Sequence, residues 1–203
     1  MTNKNITIHI IDDDPSMLIY LSDLIASTKY QSKTYSHANE FLSSYQNDGI
    51  SCLILDLHLP EINGIELQQQ LVSNNIDLPV IMISGSSDIS SAVMAMKAGV
   101  FDFLEKPFQN KKLLELINNA LKKHKIDRAR NNTQNKTLEC INSLTKREKE
   151  VMELVVTGQL NKDIAKQLEI SIKTVEVHRA NVMEKMGVTS IADLVRMFLE
   201  VNN

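Results

Sequence analysis

The stretch Cys52 to Gly64 limits the folds open to this chain more than any other. It reads Cys-Leu-Ile-Leu-Asp-Leu-His-Leu-Pro-Glu-Ile-Asn-Gly. The four apolar residues Cys52 to Leu55 predict a strand buried on both faces, the habit of parallel sheets. Asp56 stands where that strand runs out. Pro60, Asn63 and Gly64 then predict a turn. Open α/β sheets bind ligands at the carboxyl ends of their strands, so a carboxylate there is a candidate for chemistry. A lone aspartate would more often just begin a turn. The rest of the chain reverses that balance.

Ile6 to Ile11 reads as a first strand, with Asp12, Asp13 and Asp14 directly after it. Asp14 suits a helix cap and Pro15 the first helical position. Met17, Leu18, Leu21, Leu24 and Ile25 then mark one helical face. A second strand is expected near Ser32 to Tyr35 and a short helix around Phe41 and Leu42. A helix over Ile65 to Val72 follows Gly64. Pro79 to Ser84 reads as a fourth strand, Ser90 to Ala98 as a helix stopped by Gly99, and Phe101 to Glu105 as a fifth strand leading into Lys106-Pro107. Leu113, Leu114, Ile117 and Leu121 mark a last amphipathic helix. Strands alternating with helices predict an α/β fold, a doubly wound five-stranded parallel sheet. Asp12, Asp13, Asp56, Ser84 and Lys106 would then share one edge of it.

The chain changes character near His124. Residues 125–140 are polar and amide-rich, and predict a linker whose first part is the frayed end of the preceding helix. Beyond it, Thr145 and Glu148 have capping-box spacing. Short helices follow: one from Thr145 to Gly158, one opening at Asn161, one over Thr174 to Met186 ended by Gly187, and one over Ser190 to Val201. Tight turns between them predict a small all-α helix-turn-helix domain. The division expected is residues 1–124, a linker at 125–140, and residues 141–203; a length of 203 residues allows two domains. Residues 1–124 carry 9 Lys and Arg against 14 Asp and Glu, and residues 125–203 carry 13 against 11. That asymmetry points to different partners for the two halves. The basic excess is too small to argue nucleic-acid binding alone. Cys52 and Cys140 are far apart and read as reduced thiols. No long apolar run or secretory signal is present, so a cytoplasmic protein without a membrane partner is expected.

Clustered carboxylates repel one another unless protons or a cation intervene. With no His or Cys at ligand spacing, the cation expected is hard and oxygen-loving, and Mg²⁺ fits. Asp12, Asp13 and Asp56 are its expected ligands, with the His58 backbone carbonyl within possible reach. Asp56 could then attack a phosphoryl group as a carboxylate nucleophile. Lys106 would neutralise charge on the transferred oxygens, and Ser84 could donate a hydrogen bond to the product. Phe103, three residues before Lys106, reads equally well as core or as a switch.

Residues 6–124 resemble a CheY-like receiver domain of a two-component response regulator. The matching motifs are Ile11-Asp12-Asp13-Asp14, Leu55-Asp56-Leu57-His58-Leu59-Pro60 with Gly64, Ile83-Ser84-Gly85, and Lys106-Pro107-Phe108. The resemblance implies that Asp56 accepts phosphate from a sensor histidine kinase. It implies that Asp12 and Asp13 hold Mg²⁺, and that Ser84 and Phe103 rearrange on phosphorylation. Ser84 stands where threonine is commoner, and Phe103 where tyrosine is frequent. Residues 142–201 resemble the LuxR/FixJ-type DNA-binding domain through Leu144 to Glu148, Gly158, Asn161 to Ala165 and Lys173 to Arg179. Together they imply a FixJ-type transcription regulator that dimerises when phosphorylated, through a face carrying Val93, Met96 and Lys97. Double-stranded DNA with an inverted repeat is the implied target, and RNA polymerase a further possible partner.

On the helix over Thr174 to Met186, Val175, Val182 and Met186 face one way, as core. Thr174, Glu176, Val177, His178, Arg179 and Asn181 are the expected DNA-facing set, with Arg179 as a base reader. Lys173 and Lys185, with Asn161 and Lys162 at the preceding helix start, suit phosphates. Two other readings compete: a metal-dependent aspartyl phosphatase, and an adaptor whose last domain binds protein. The phosphatase reading lacks the usual second carboxylate two residues on, where His58 stands.

Overall fold

The computed structural model describes residues 6–85 and 89–202. The N-terminal residues 1–5, part of the stretch read as no secretory signal, lie outside them. The chain divides into two compact units, residues 1–127 and 128–203.

The first unit holds β1 (Ile6–Ile11), α1 (Pro15–Ala26), β2 (Gln31–Tyr35), α2 (Ala38–Ser44), β3 (Ile50–Asp56), α3 (Gly64–Ser73), β4 (Val80–Ser84), α4 (Ile89–Lys97) and β5 (Asp102–Glu105), and the first part of α5 (Asn110–Ser143). All strand pairs are parallel, in the order β2-β1-β3-β4-β5. That order is the one CheY-like proteins are known for; the periodicity did not supply it.

The sheet is buried on both faces, which is why β3 and β4 read as unbroken apolar runs. Side chains alternate between two cores. Leu53 and Leu55 join Phe41 of α2, Leu67 and Leu71 of α3 and Ala95 of α4. Cys52 and Ile54 join Leu21 and Ile25 of α1 and Leu113 and Ile117 of α5. Asp14 caps α1, accepting from Ser16 N–H at 2.8 Å, and Asn63 caps α3, accepting from Ile65 N–H at 2.9 Å.

Residues 125–140, expected as a frayed helix end followed by a linker, are helical throughout: they lie within α5, which runs unbroken from Asn110 to Ser143. The amphipathic start of α5 nucleates the helix, and each further residue then adds a hydrogen bond without a new nucleus. Such a polar segment has no apolar stripe for a periodicity argument to detect.

The second unit contains the rest of α5, then α6 (Lys146–Val156), α7 (Asn161–Leu168), α8 (Ile172–Lys185) and α9 (Ile191–Asn202). Its core is built from Val151, Val155, Ile164, Val175, Val182 and Leu194 with their neighbours. The capping box forms as expected. Thr145 N–H donates to Glu148 Oε2 at 2.8 Å, and Glu148 N–H donates to Thr145 Oγ1 at 3.3 Å. Ser171 caps α8, accepting from Thr174 N–H at 3.0 Å. Gly187, at φ +65°, ends it. Only Glu169, Ile170 and Ser171 separate α7 from α8, the connection of a helix-turn-helix.

Candidate functional site

The carboxyl ends of β1, β3, β4 and β5 bring five side chains to one edge of the sheet. Asp12 follows β1 and is 1% exposed; Asp56 ends β3 and is 7% exposed. Asp13 is exposed beside them. Carboxylate oxygens of Asp12, Asp13 and Asp56 lie within 4.8 Å of one another. Lys106 reaches in from the end of β5, its Nζ 2.9 Å from Asp12 Oδ2 and 3.1 Å from Asp56 Oδ2. The Lys106-Pro107 peptide is cis. Lys106 N–H donates to the Ser84 carbonyl at 2.8 Å, tying the ends of β4 and β5 together. Ser84 itself is fully buried.

Backbone donors fix the carboxylates. Asp14 N–H donates to Asp12 Oδ1 at 2.9 Å, and His58 N–H to Asp56 Oδ1 at 3.3 Å. The loop after Asp56 is held by Leu57 N–H on the Ile83 carbonyl at 2.8 Å and Gly64 N–H on the Leu57 carbonyl at 2.9 Å. The turn thus brings Gly64 back against β3, which only a residue without a side chain permits.

The electrostatics call for more positive charge. Burial pushes the Asp12 carboxyl above its ordinary value, against the hydrogen bond from Lys106. Burial lowers the Lys106 ammonium, but its bonds to Asp12 and Asp56 outweigh that and hold it above its ordinary value. Three carboxylates against one ammonium leave negative charge unbalanced. A divalent cation with oxygen preference suits this donor set, and Mg²⁺ takes one or two carboxylates while keeping waters.

Of the expected switch and dimer residues, Phe103 is half-buried and packs against the α2–α4 side of the core. Val93, Met96 and Lys97 are exposed on α4, where with Ile89 and Ala92 they line a shallow open groove.

The expected DNA-facing residues separate into three groups. Lys162, Lys173, Glu176 and Val177 are exposed, Val177 at 53%. Thr174 and Asn181 are half-buried, and the Thr174 hydroxyl lies 2.8 Å from that of Ser171. The others turn inward or across to neighbouring helices. Arg179 is half-buried, and its Nη1 donates to Asn161 Oδ1 at 2.6 Å, so it does not stand out as a free base reader. His178 has its Nδ1 buried. Lys185, expected on phosphate, instead pairs with the buried Glu148 at 2.7 Å. That hydrogen bond, then the backbone of Thr145, holds the Glu148 carboxyl down to about 2. Glu148 was legible as a cap but not as this partner, because α6 and α8 meet only in the fold. The basic excess of the second half is also misplaced by a simple count. Residues 144–203 balance at 9 basic and 9 acidic, and the excess lies on residues 125–143, with 4 against 2.

A five-stranded parallel sheet with an acidic, lysine-bridged pocket at its carboxyl edge, joined to a helix-turn-helix unit, defines the class of response regulators with a DNA-binding output. Comparison with known proteins agrees. The response regulator receiver domain family matches residues 8–118, and the family of bacterial regulatory proteins of the luxR type matches residues 142–198. The chain belongs to the LuxR/FixJ-type response regulators. It is 42% identical over 197 residues to the response regulator protein TodT of Pseudomonas putida, covering 97% of this chain and 87% of TodT. It is 38% identical over 193 residues to the transcriptional regulatory protein FixJ of Rhizobium meliloti, covering 95% of each. Among solved structures it resembles the response regulator StyR, at TM-score 0.86 and 37% identity over 97% of this chain and 99% of that one. It also resembles full-length FixJ from B. japonicum, at TM-score 0.60 and 34% identity over 99% and 98%. The protein is therefore a transcription regulator of a two-component system rather than a classical enzyme. Its receiver domain implies a sensor kinase as partner and its luxR-type domain implies DNA. No helix among the described residues is long and apolar enough to cross a membrane.

Proposed function

We propose that Asp56 accepts a phosphoryl group and that this modification pairs two copies of the chain on DNA. The observation that carries this reading is the Lys106 bridge to Asp12 and Asp56 beside Asp13. A carboxylate oxygen of Asp56 forms a bond to phosphorus while the bond to the donor's leaving atom breaks; the leaving group departs with that electron pair. Lys106 holds positive charge beside the transferred oxygens. Mg²⁺, held by Asp12, Asp13, Asp56 and the His58 carbonyl, would neutralise the remaining charge there. Ser84 then donates to the new phosphoryl group, and Phe103 repacks against α4.

The receiver function belongs to residues 1–124, and DNA recognition to residues 141–203. The exposed apolar side chains Val93 and Met96, with Lys97, form the face that a second phosphorylated copy covers. Glu176 and Val177 of α8 enter the major groove, with Lys162 and Lys173 on the backbone and Thr174 and Asn181 at the margin. Two copies then read an approximate inverted repeat with half-sites about one helical turn apart. The protein works in the cytoplasm, where kinase, DNA and RNA polymerase are at hand.

The test is sedimentation of the full chain with Mg²⁺, with and without a small phosphodonor. Monomer without the donor and dimer with it supports the proposal. One mass in both conditions contradicts phosphorylation-driven pairing.

A further inference from the structure

We propose that Arg179 is a positioning residue: it braces the recognition helix against α7 through Asn161 and does not itself read a base. The inference rests on the reading of α8 as the DNA-recognition helix.

A cap and two cross-links fix α8 along its length. Ser171 caps its start, Arg179 ties its middle to Asn161, and Lys185 ties its last turn to Glu148. The middle link differs from the last in the choice that Asn161 makes. Asn161 opens α7, and its side chain could serve the uncapped amides of that helix start. Leu160, in the cap position, offers no side-chain bond to them. The Asn161 oxygen instead accepts from Arg179 Nη1 at 2.6 Å, on another helix and 18 residues away. Arg179 also lines a small apolar cavity with Val151, Val155, Val182 and Leu194, so its stem lies along the core of the unit. A guanidinium anchored at both stem and head would have to give up both sets of contacts to reach a base edge. Nearby, Glu176 and Val177 are exposed and need no such rearrangement.

The two residues act as one unit, so their removal should not be additive. Duplexes are first enriched by the phosphorylated full chain from a randomised library. The winning duplex and a scrambled one of equal composition are then titrated with the wild type, Arg179→Ala, Asn161→Ala, the double variant and Arg179→Lys. Each single variant should lose about tenfold in affinity for the winning duplex, and the double variant no more than either. The scrambled duplex should change little. Libraries enriched by Arg179→Ala should show the same base preference at every position, and the salt dependence should match the wild type. Arg179→Lys, which can still donate to Asn161, should recover part of the loss.

Asn161→Ala is the decisive arm, because it frees Arg179 without removing it. A base-reading Arg179 would keep or gain affinity in that variant, and this result overturns the proposal. Loss of preference at one position per half-site in Arg179→Ala also overturns it, as does a salt slope lowered by about one, the mark of a phosphate contact. A wild-type chain that enriches no duplex overturns the DNA reading itself, separately from the brace. If Arg179→Ala fails to fold, Asn161→Ala and Arg179→Lys decide alone.

Discussion

Gly64 stands so close to Asp56 that a Cβ placed on it would lie 2.6 Å from the Asp56 carbonyl oxygen and 3.0 Å from Leu57 Cα. Both neighbours are backbone, so no side chain can swing aside. Gly64→Ala must therefore move the loop that follows Asp56. The expected cost is about 1–3 kcal/mol, read as a lowered denaturant midpoint. Phosphoryl acceptance should slow as well, because the displaced loop carries the His58 amide that holds the Asp56 carboxylate. A variant with wild-type stability and wild-type labelling rate would show that the loop absorbs the methyl without moving the site.

His124 anchors the receiver part of α5 to the opposite end of β3. It is 1% exposed, and its Nδ1 lies 2.7 Å from the Ser51 carbonyl oxygen. The same Nδ1 lies 3.0 Å from the Ser51 amide nitrogen: protonated it donates to the carbonyl, and unprotonated it accepts from the Ser51 N–H, so either tautomer ties α5 to Ser51. His124→Ala should destabilise the first unit by about 2–4 kcal/mol, through the lost bond and the cavity left behind. Unfolding in urea checks it, and a change under 0.5 kcal/mol, roughly the scale of a surface substitution, would count against the anchor.

Much of this fold is legible in the sequence. The strands announced themselves as apolar runs because both sheet faces are buried, and their ends named Asp12, Asp13, Asp56, Ser84 and Lys106 together. What stayed hidden was whatever depends on distant elements meeting. Nothing local to Ser51 signals His124, and nothing in α8 signals that Arg179 reaches Asn161 or that Lys185 reaches Glu148. That the linker at 125–140 is helical throughout is not legible either, because a helix polar on all sides carries no period. The charges on α8 point to DNA through the family resemblance, and neither that resemblance nor their spacing distinguishes a solvent-facing arginine from one bonded to a neighbouring helix.

His9 gives the first unit a defined response to acid. It is buried among Tyr35, Phe41 and Tyr45, with Nδ1 3.1 Å from the Tyr35 hydroxyl. Burial, then repulsion from Lys33, lowers its pKa from 6.5 to about 4, against a weaker pull from Asp48. Between those values the unfolded chain binds the proton and the folded chain does not. Stability is therefore intact above pH 6.5 and falls as pH drops toward about 4. Denaturant titrations across that window should show a shallower decline for His9→Gln than for the wild type. Equal slopes would mean that His9 is protonated as readily in the fold as out of it.

The Glu148–Lys185 pair sets a second, lower window in the other unit. The Glu148 carboxyl moves from 4.5 down to about 2, so its contribution is present above pH 4.5 and is lost as pH falls through about 2. Lys185→Gln should flatten this acid response and lower stability at neutral pH. It should leave the salt dependence of DNA binding unchanged, whereas loss of a phosphate contact would lower that slope by about one. A lowered slope would return Lys185 to the DNA face.

Asp56 is the residue proposed to take the phosphoryl group. The most direct measurement is the intact mass of the full chain after incubation with Mg²⁺ and a small phosphodonor, for the wild type and for Asp56→Asn. The amide keeps the shape of the side chain but is a far poorer nucleophile. The wild type should gain one acid-labile phosphoryl group and Asp56→Asn none, with both folded by circular dichroism. Equal labelling of the two proteins would mean that Asp56 is not the acceptor and that the Lys106-bridged pocket is not where the chemistry occurs.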